Sequence, residues 1–143
     1  MRSRDSLDAP EALVLTMVLV AAADGGITDR EIGVMSAIVQ TLPAFRDFTS
    51  SQLGQATDAT VRLLREEDGL QHAATLMRQA LGPRLRETAY ALACEVVAAD
   101  GKVGPQTLDM LEFVQQELGL DSLIATAIGR GVRARYTRPD NGG

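Results

Sequence analysis

The chain has no tryptophan, three phenylalanines and two tyrosines. A core without large rings is filled by Leu, Val, Ile, Met and Ala, and such short side chains suit close helix–helix contact. With one cysteine, Cys94, an internal disulfide is excluded. Cys94 lies in an apolar run and reads as a small hydrophobe. The only histidine is His72. A Cys94–His72 nucleophile–base pair remains open from the sequence, but nothing local supports it. One His and one Cys are too few for a zinc site. Gly-rich phosphate loops and serine nucleophile elbows are missing. No carboxylate pair stands at a spacing that suggests general acid–base catalysis. Net positive charge is missing too: the formal charge is −5. Without basic charge or stacking aromatics, nucleic acid is not an expected partner. The one basic cluster is Arg130, Arg133, Arg135 and Arg138, which suits a solvated helix end.

An uncharged run of membrane-spanning length is also lacking. Arg2 and Arg4 precede the apolar stretch Ala12 to Ala23 and together imitate a secretion signal. Asp5, Asp8 and Glu11 contradict that reading, and the stretch is shorter than the roughly 20 residues of a spanning helix. The same segment also recurs deep inside the chain, so a cytoplasmic location is expected.

What is present is a repeat. Residues 11–27 lie over residues 87–103, and Asp24-Gly25 falls on Asp100-Gly101 at an offset of 76 residues. The register continues without a gap: Ile32 on Leu108, Met35 on Leu111, Ile38 on Val114, Leu42 on Leu118. Apolar positions keep helical spacing in both copies. One hairpin could not bury its apolar face alone, and two facing copies could.

Local signals divide each copy into two helices. The first is expected from about Pro10 to Asp24, closed by Gly25 in the left-handed conformation. The second starts at Thr28 with Glu31 three residues on, a capping box. In the second copy Gly101 ends one helix, Gly104-Pro105 opens the next, and Gly119 closes it. Between the copies, Thr49 and Gln52 form another capping box with a Phe48–Leu53 staple, Asp68 starts a further helix, and Gly82-Pro83 opens the second copy. Asp121 caps a last helix to about Ile128, where Gly129 and Gly131 weaken its continuation. No stretch alternates with period two. The expected fold is all-α, a compact bundle of about seven helices with two pseudo-repeated helix–Asp-Gly-loop–helix hairpins. It occupies residues 8–130, with tails at 1–7 and 137–143.

Each Asp-Gly carboxylate falls at a helix C-terminus, the electrostatically poor end, at a cost of roughly 0.3–1 kcal/mol. Two readings are open. The side chains fold onto nearby amides as turns and caps. Alternatively, Asp24, Glu31 and Asp100 coordinate a hard divalent cation, Ca²⁺, Mg²⁺ or Mn²⁺. The loop is not an EF-hand. Glu95 interrupts an apolar run where the first copy has Leu19, and it either faces solvent or pairs with an Arg such as Arg62, Arg65 or Arg78. Met17, Met35, Met77 and Met110 fall at apolar positions and read as core filler.

Ala22-Ala23-Asp24-Gly25-x-Ile27-Thr28-x-x-Glu31 and Ala98-Ala99-Asp100-Gly101-x-Val103 resemble the paired Ala-Asp-Gly-x-hydrophobic-x-x-x-x-Glu signature of TerB-like domains. That group is similar in turn to the N-terminal cytoplasmic part of DjlA-type co-chaperones. The resemblance covers residues 8–130. It implies a compact helical fold with an acidic, cation-binding surface. It also implies links to tellurite resistance and general stress, through complexes near the inner membrane face. The expected function is a non-enzymatic binding or scaffold module with a protein partner. The alternatives are a purely structural interaction domain without metal, and a metal-dependent hydrolase-like site on Asp24 and Asp100, for which no nucleophile-positioning group is found. The carried-over residues are Asp24, Glu31 and Asp100. Thr107 stands where the second glutamate of the pattern falls, which removes one ligand.

Overall fold

The computed structural model describes residues 6–101 and 103–139. Within them the chain is entirely helical: α1 Ala9–Ala21, α2 Asp29–Thr41, α3 Ser50–Leu64, α4 Gly69–Ala80, α5 Pro83–Asp100, α6 Pro105–Glu117 and α7 Ser122–Arg135, with a short 3₁₀ turn at Pro43–Phe45. The tails expected at 1–7 and 137–143 lie largely outside the described residues, and Leu7 packs against the core.

α1 is the centre of the domain. It opens on a capping box: the Glu11 amide donates to Asp8 Oδ1 at 2.9 Å, and the Asp8 amide donates to Glu11 Oε1 at 3.0 Å. Every residue from Ala12 to Ala21 is buried. A helix apolar on all sides has to be surrounded, and α1 packs against α3, α4, α5 and α6. Thr16 within it donates to the Ala12 carbonyl at 2.8 Å, so no buried hydroxyl is orphaned. The stretch that imitates a secretion signal is this central helix.

The repeat organises the packing. α2 crosses onto α5 while α6 crosses onto α1, and α1 and α5 pack on each other. The symmetry reaches one helix further than the two hairpins: α3 packs on α1 as α7 packs on α5. α4 fills the space between α1, α3 and α6. Met17, Met35 and Met77 are buried and Met110 packs against the core, as filler. Arg86, not singled out in the sequence, fastens two helix ends. Its guanidinium donates to the carbonyls of Arg78 and Leu81 at 2.9 Å each, and to Leu118 at 3.3 Å. These are carbonyls at helix C-termini that lack partners within their own helices.

Three local expectations are corrected. α1 stops at Ala21, short of Asp24, with Ala22 right-handed at its cap. Gly25 does have positive φ, +114°, but it sits in a following turn where its amide donates to the Ala22 carbonyl at 3.2 Å. The Gly25-Gly26 pair makes continuing the helix costly by about 1 kcal/mol per residue. In the second copy α5 runs through Asp100, and Gly101 closes it at φ +76°. The last helix does not end at Ile128. It continues through both glycines to Arg135, because Ala125, Gly129 and Val132 form a buried stripe against α5 that outweighs glycine's propensity cost. Glu95 pairs with none of Arg62, Arg65 or Arg78. Its Oε1 accepts from Arg135 Nη1 at 2.7 Å and Tyr136 Oη at 3.2 Å, groups brought there by the extra turns of α7.

Candidate functional site at the acidic turns

The crossing of α2 over α5 brings the first Asp-Gly turn against the end of the second. Thr28 is the joint. Its Oγ1 accepts from the Glu31 amide at 3.1 Å, and its own amide donates to Glu31 Oε1 at 2.8 Å, completing the capping box. Its hydroxyl lies 3.1 Å from Glu31 Oε1 and 3.4 Å from Asp100 Oδ1. One hydroxyl proton serves one acceptor at a time, so the two carboxylates compete for it. The capping role of Thr28 is legible locally. Its bond to a residue 72 positions away depends on the helix crossing.

Glu31 is buried, Asp100 is half-buried and Asp24 is exposed. Burial raises the carboxyl of Glu31 above its ordinary value. The Thr28 amide and hydroxyl oppose that, and the negative charges of Asp100 and Asp24 push it further up. The three sequence-predicted residues therefore share one electrostatic neighbourhood. Among the described residues, however, no three carboxylate, thiol or imidazole groups are placed to hold a metal ion. The donors are hard oxygens of the kind Mg²⁺ and Ca²⁺ take, but Glu31 is already committed to capping. Thr107, the counterpart of Glu31, is buried and supplies no charge.

The raised carboxyl has a consequence with a definite sign. A group whose folded-state pKa lies above its unfolded value stabilises the fold below the unfolded pKa, and that contribution is lost as pH rises through the folded value. Glu31→Gln keeps the capping geometry, since Gln serves at this position, and cannot ionise. In cation-free buffer its melting temperature should match wild type in acid and exceed it at neutral pH, the gap opening across the carboxylate range. A constant gap at all pH values would show that Glu31 ionises without cost.

Around these turns the surface is apolar as well as acidic. Ile32 and Leu108, matched in the repeat and spaced as core positions, are 48% and 54% exposed, and Val103 is 49% exposed. Hydrophobic spacing alone did not separate them from the residues that pack inward.

The remaining reactive groups stand apart. Cys94 is half-buried on α5 beside the Tyr90 hydroxyl. Burial pushes its thiol up, and Tyr90 and Arg133 only oppose that in part. Tyr90 is itself pushed up to about 12, first by burial and then by Cys94. A protonated thiol is a poor nucleophile. His72 faces Glu66 instead, with Nδ1 3.8 Å from Oε1. Both line a cavity of about 510 Å³ between α1, α3 and α4, floored by Leu15, Leu63 and Leu76.

A family model described as tellurite resistance protein TerB matches residues 10–128. No curated protein and no solved structure matches the chain.

Proposed function

Because the chain belongs to the TerB family of tellurite-resistance proteins, we propose that it is a non-enzymatic binding or scaffold module that works through its acidic Asp-Gly end. The observation that carries this reading is the Thr28–Asp100 contact, which joins the two repeated turns into one patch. Exposed Ile32, Val103 and Leu108 beside that patch suit a protein partner. No helix among the described residues is long and apolar enough to cross a membrane. The reading places the module in the cytoplasm, in a stress-response complex that can lie near a membrane.

Asp24 and Asp100 are the ligands of a hard divalent cation, with Glu31 behind them supplying charge and water filling the remaining positions. The support is the mutual repulsion of these groups, which a cation would relieve. Three carboxylates with one committed to capping make a weak site. A ligand that binds only the folded state stabilises it by mass action. Wild type should therefore gain about 2–5 °C in melting temperature at Ca²⁺, Mg²⁺ or Mn²⁺ well above its dissociation constant. Asp24→Asn and Asp100→Asn should lose that gain, and melt at or above wild type in cation-free buffer. Identical melting of wild type with and without all three cations would remove the cation and leave the protein-partner reading.

A further inference from the structure

Exposed apolar surface and excess negative charge meet at one end of the bundle. Residues 24–32 and 100–112 hold six carboxylates and two basic side chains, an excess of four negative charges in a chain of net charge −5. Six large apolar side chains are exposed among the described residues, and three of them, Ile32, Val103 and Leu108, stand in these two segments. Ile27 and Val103 precede the two N-caps, and Ile32 and Leu108 are the fourth residues of α2 and α6, the spacing of a hydrophobic staple. A staple accounts for apolar residues at these positions but not for their exposure. Both members of the second pair keep about half their surface in water. Ile32 also lies on the acidic side of α2. Its amide donates to the Thr28 carbonyl at 3.0 Å, so it stands one turn along from the hydroxyl that reaches Asp100. Arg30 is two residues away, roughly 160° around the helix. On α6, exposed Glu112 follows Leu108 by one turn.

We infer that this end docks a Lys- or Arg-rich amphipathic segment of another protein. The partner's apolar side chains lie against Ile32, Val103 and Leu108, and its cations face Asp24, Asp29, Asp100 and Glu112. The inference rests on the reading of the two turns as one binding end and adds the chemistry of what binds there. Charge complementarity selects the occupant. A second copy of the chain would set the same excess of carboxylates against the first. An anionic lipid surface is repelled for the same reason. A neutral apolar segment would cover Ile32 and Leu108 but desolvate carboxylates without pairing them. A basic segment without apolar side chains would leave the exposed residues in water. The carboxylates that would hold a divalent cation are also those that meet the partner. Cation and partner therefore oppose one another, each weakening the other by the same factor.

The test is fluorescence anisotropy of a fluorescein-labelled amphipathic helix of Leu and Lys, titrated with the full chain in EDTA. Wild type should bind the peptide, and bind it more weakly as salt screens the charges. Ile32→Ser/Leu108→Ser keeps every carboxylate and should weaken binding roughly tenfold. Asp24→Asn/Asp100→Asn should weaken it by a similar factor at low salt. Leu123→Ser/Ile124→Ser, at exposed apolar residues on α7, should leave it unchanged. Circular dichroism checks that each variant is folded. Amide shifts of the ¹⁵N-labelled wild type, which need no variant, should move at both turns when peptide is added. Absence of binding by wild type in low salt overturns the inference. So does binding that Ile32→Ser/Leu108→Ser leaves intact, since charge alone then accounts for it, or that Leu123→Ser/Ile124→Ser abolishes. The cation is read separately, by melting temperature. A chain that melts higher with Ca²⁺ yet ignores the peptide overturns docking and leaves the cation. A chain that binds the peptide with no response to cations supports docking and removes the cation.

Discussion

Leu19→Glu should remove at least about 4 kcal/mol of stability, enough to unfold a large share of molecules. Leu19 has no exposed surface on a helix packed against α2, α3, α4, α5 and α6. The substitution deletes a buried side chain and places a carboxyl where no partner exists. The reciprocal change at the repeat-equivalent position should do far less. Glu95→Leu loses only a bond to Arg135, whose side chain is 67% exposed, and one to Tyr136. The Glu95 side chain is only 13% exposed, and replacing a paired, largely buried carboxylate by an apolar side chain of similar size is often close to neutral. Urea midpoints of the two variants should therefore diverge sharply although the positions are related by the repeat. An unchanged midpoint in Leu19→Glu would mean that α1 is not the central helix.

Gly69→Ala should cost about 3 kcal/mol. Gly69 opens α4 directly against the end of α3. A Cβ there would stand 2.2 Å from the Leu63 carbonyl oxygen and 3.1 Å from two further backbone atoms. These neighbours are main chain at a helix terminus and cannot swing aside as a flexible side chain can. The preceding Asp68 is left-handed at φ +57°, so the connection is already tight. The same substitution in the interior of α3 should have the opposite sign. Gly54 is exposed with nothing within 4 Å of its added Cβ, and Gly54→Ala should stabilise by about 0.5–1 kcal/mol. Equal effects at the two sites would contradict the packing of α4 on α3.

The repeat made the fold readable. Asp24-Gly25 and Asp100-Gly101, with matched apolar positions on either side, imply two hairpins, and capping boxes at Thr28 and Thr49 mark true helix starts. An equally local capping box, Asp8 with Glu11, completes the set. What the local signals misjudged was decided by tertiary packing. Gly129 and Gly131 disfavour a helix in isolation, yet the stripe ending at Val132 carries α7 past both. That extension gives Glu95 the partners Arg135 and Tyr136, so an error at a helix end became an error about an ion pair. Ile32 and Leu108 keep helical apolar spacing but face outward. Periodicity reports an apolar position without saying what covers it. Of the acidic residues singled out at the turns, Glu31 and Asp100 meet at Thr28, a juxtaposition that follows from α2 packing on α5 and is not legible locally.

The claim on which the functional reading turns is that the two Asp-Gly turns act as one binding end. Amide chemical shifts followed during a Ca²⁺ or Mg²⁺ titration of the uniformly ¹⁵N-labelled chain test it directly. The account predicts that residues around Asp24, Thr28 and Glu31 move together with those around Asp100 and Gly101, along one saturating curve. Asp100→Asn should flatten the response of the first turn as well as its own. Two turns that respond independently, or shifts confined to another face of the bundle, would contradict it.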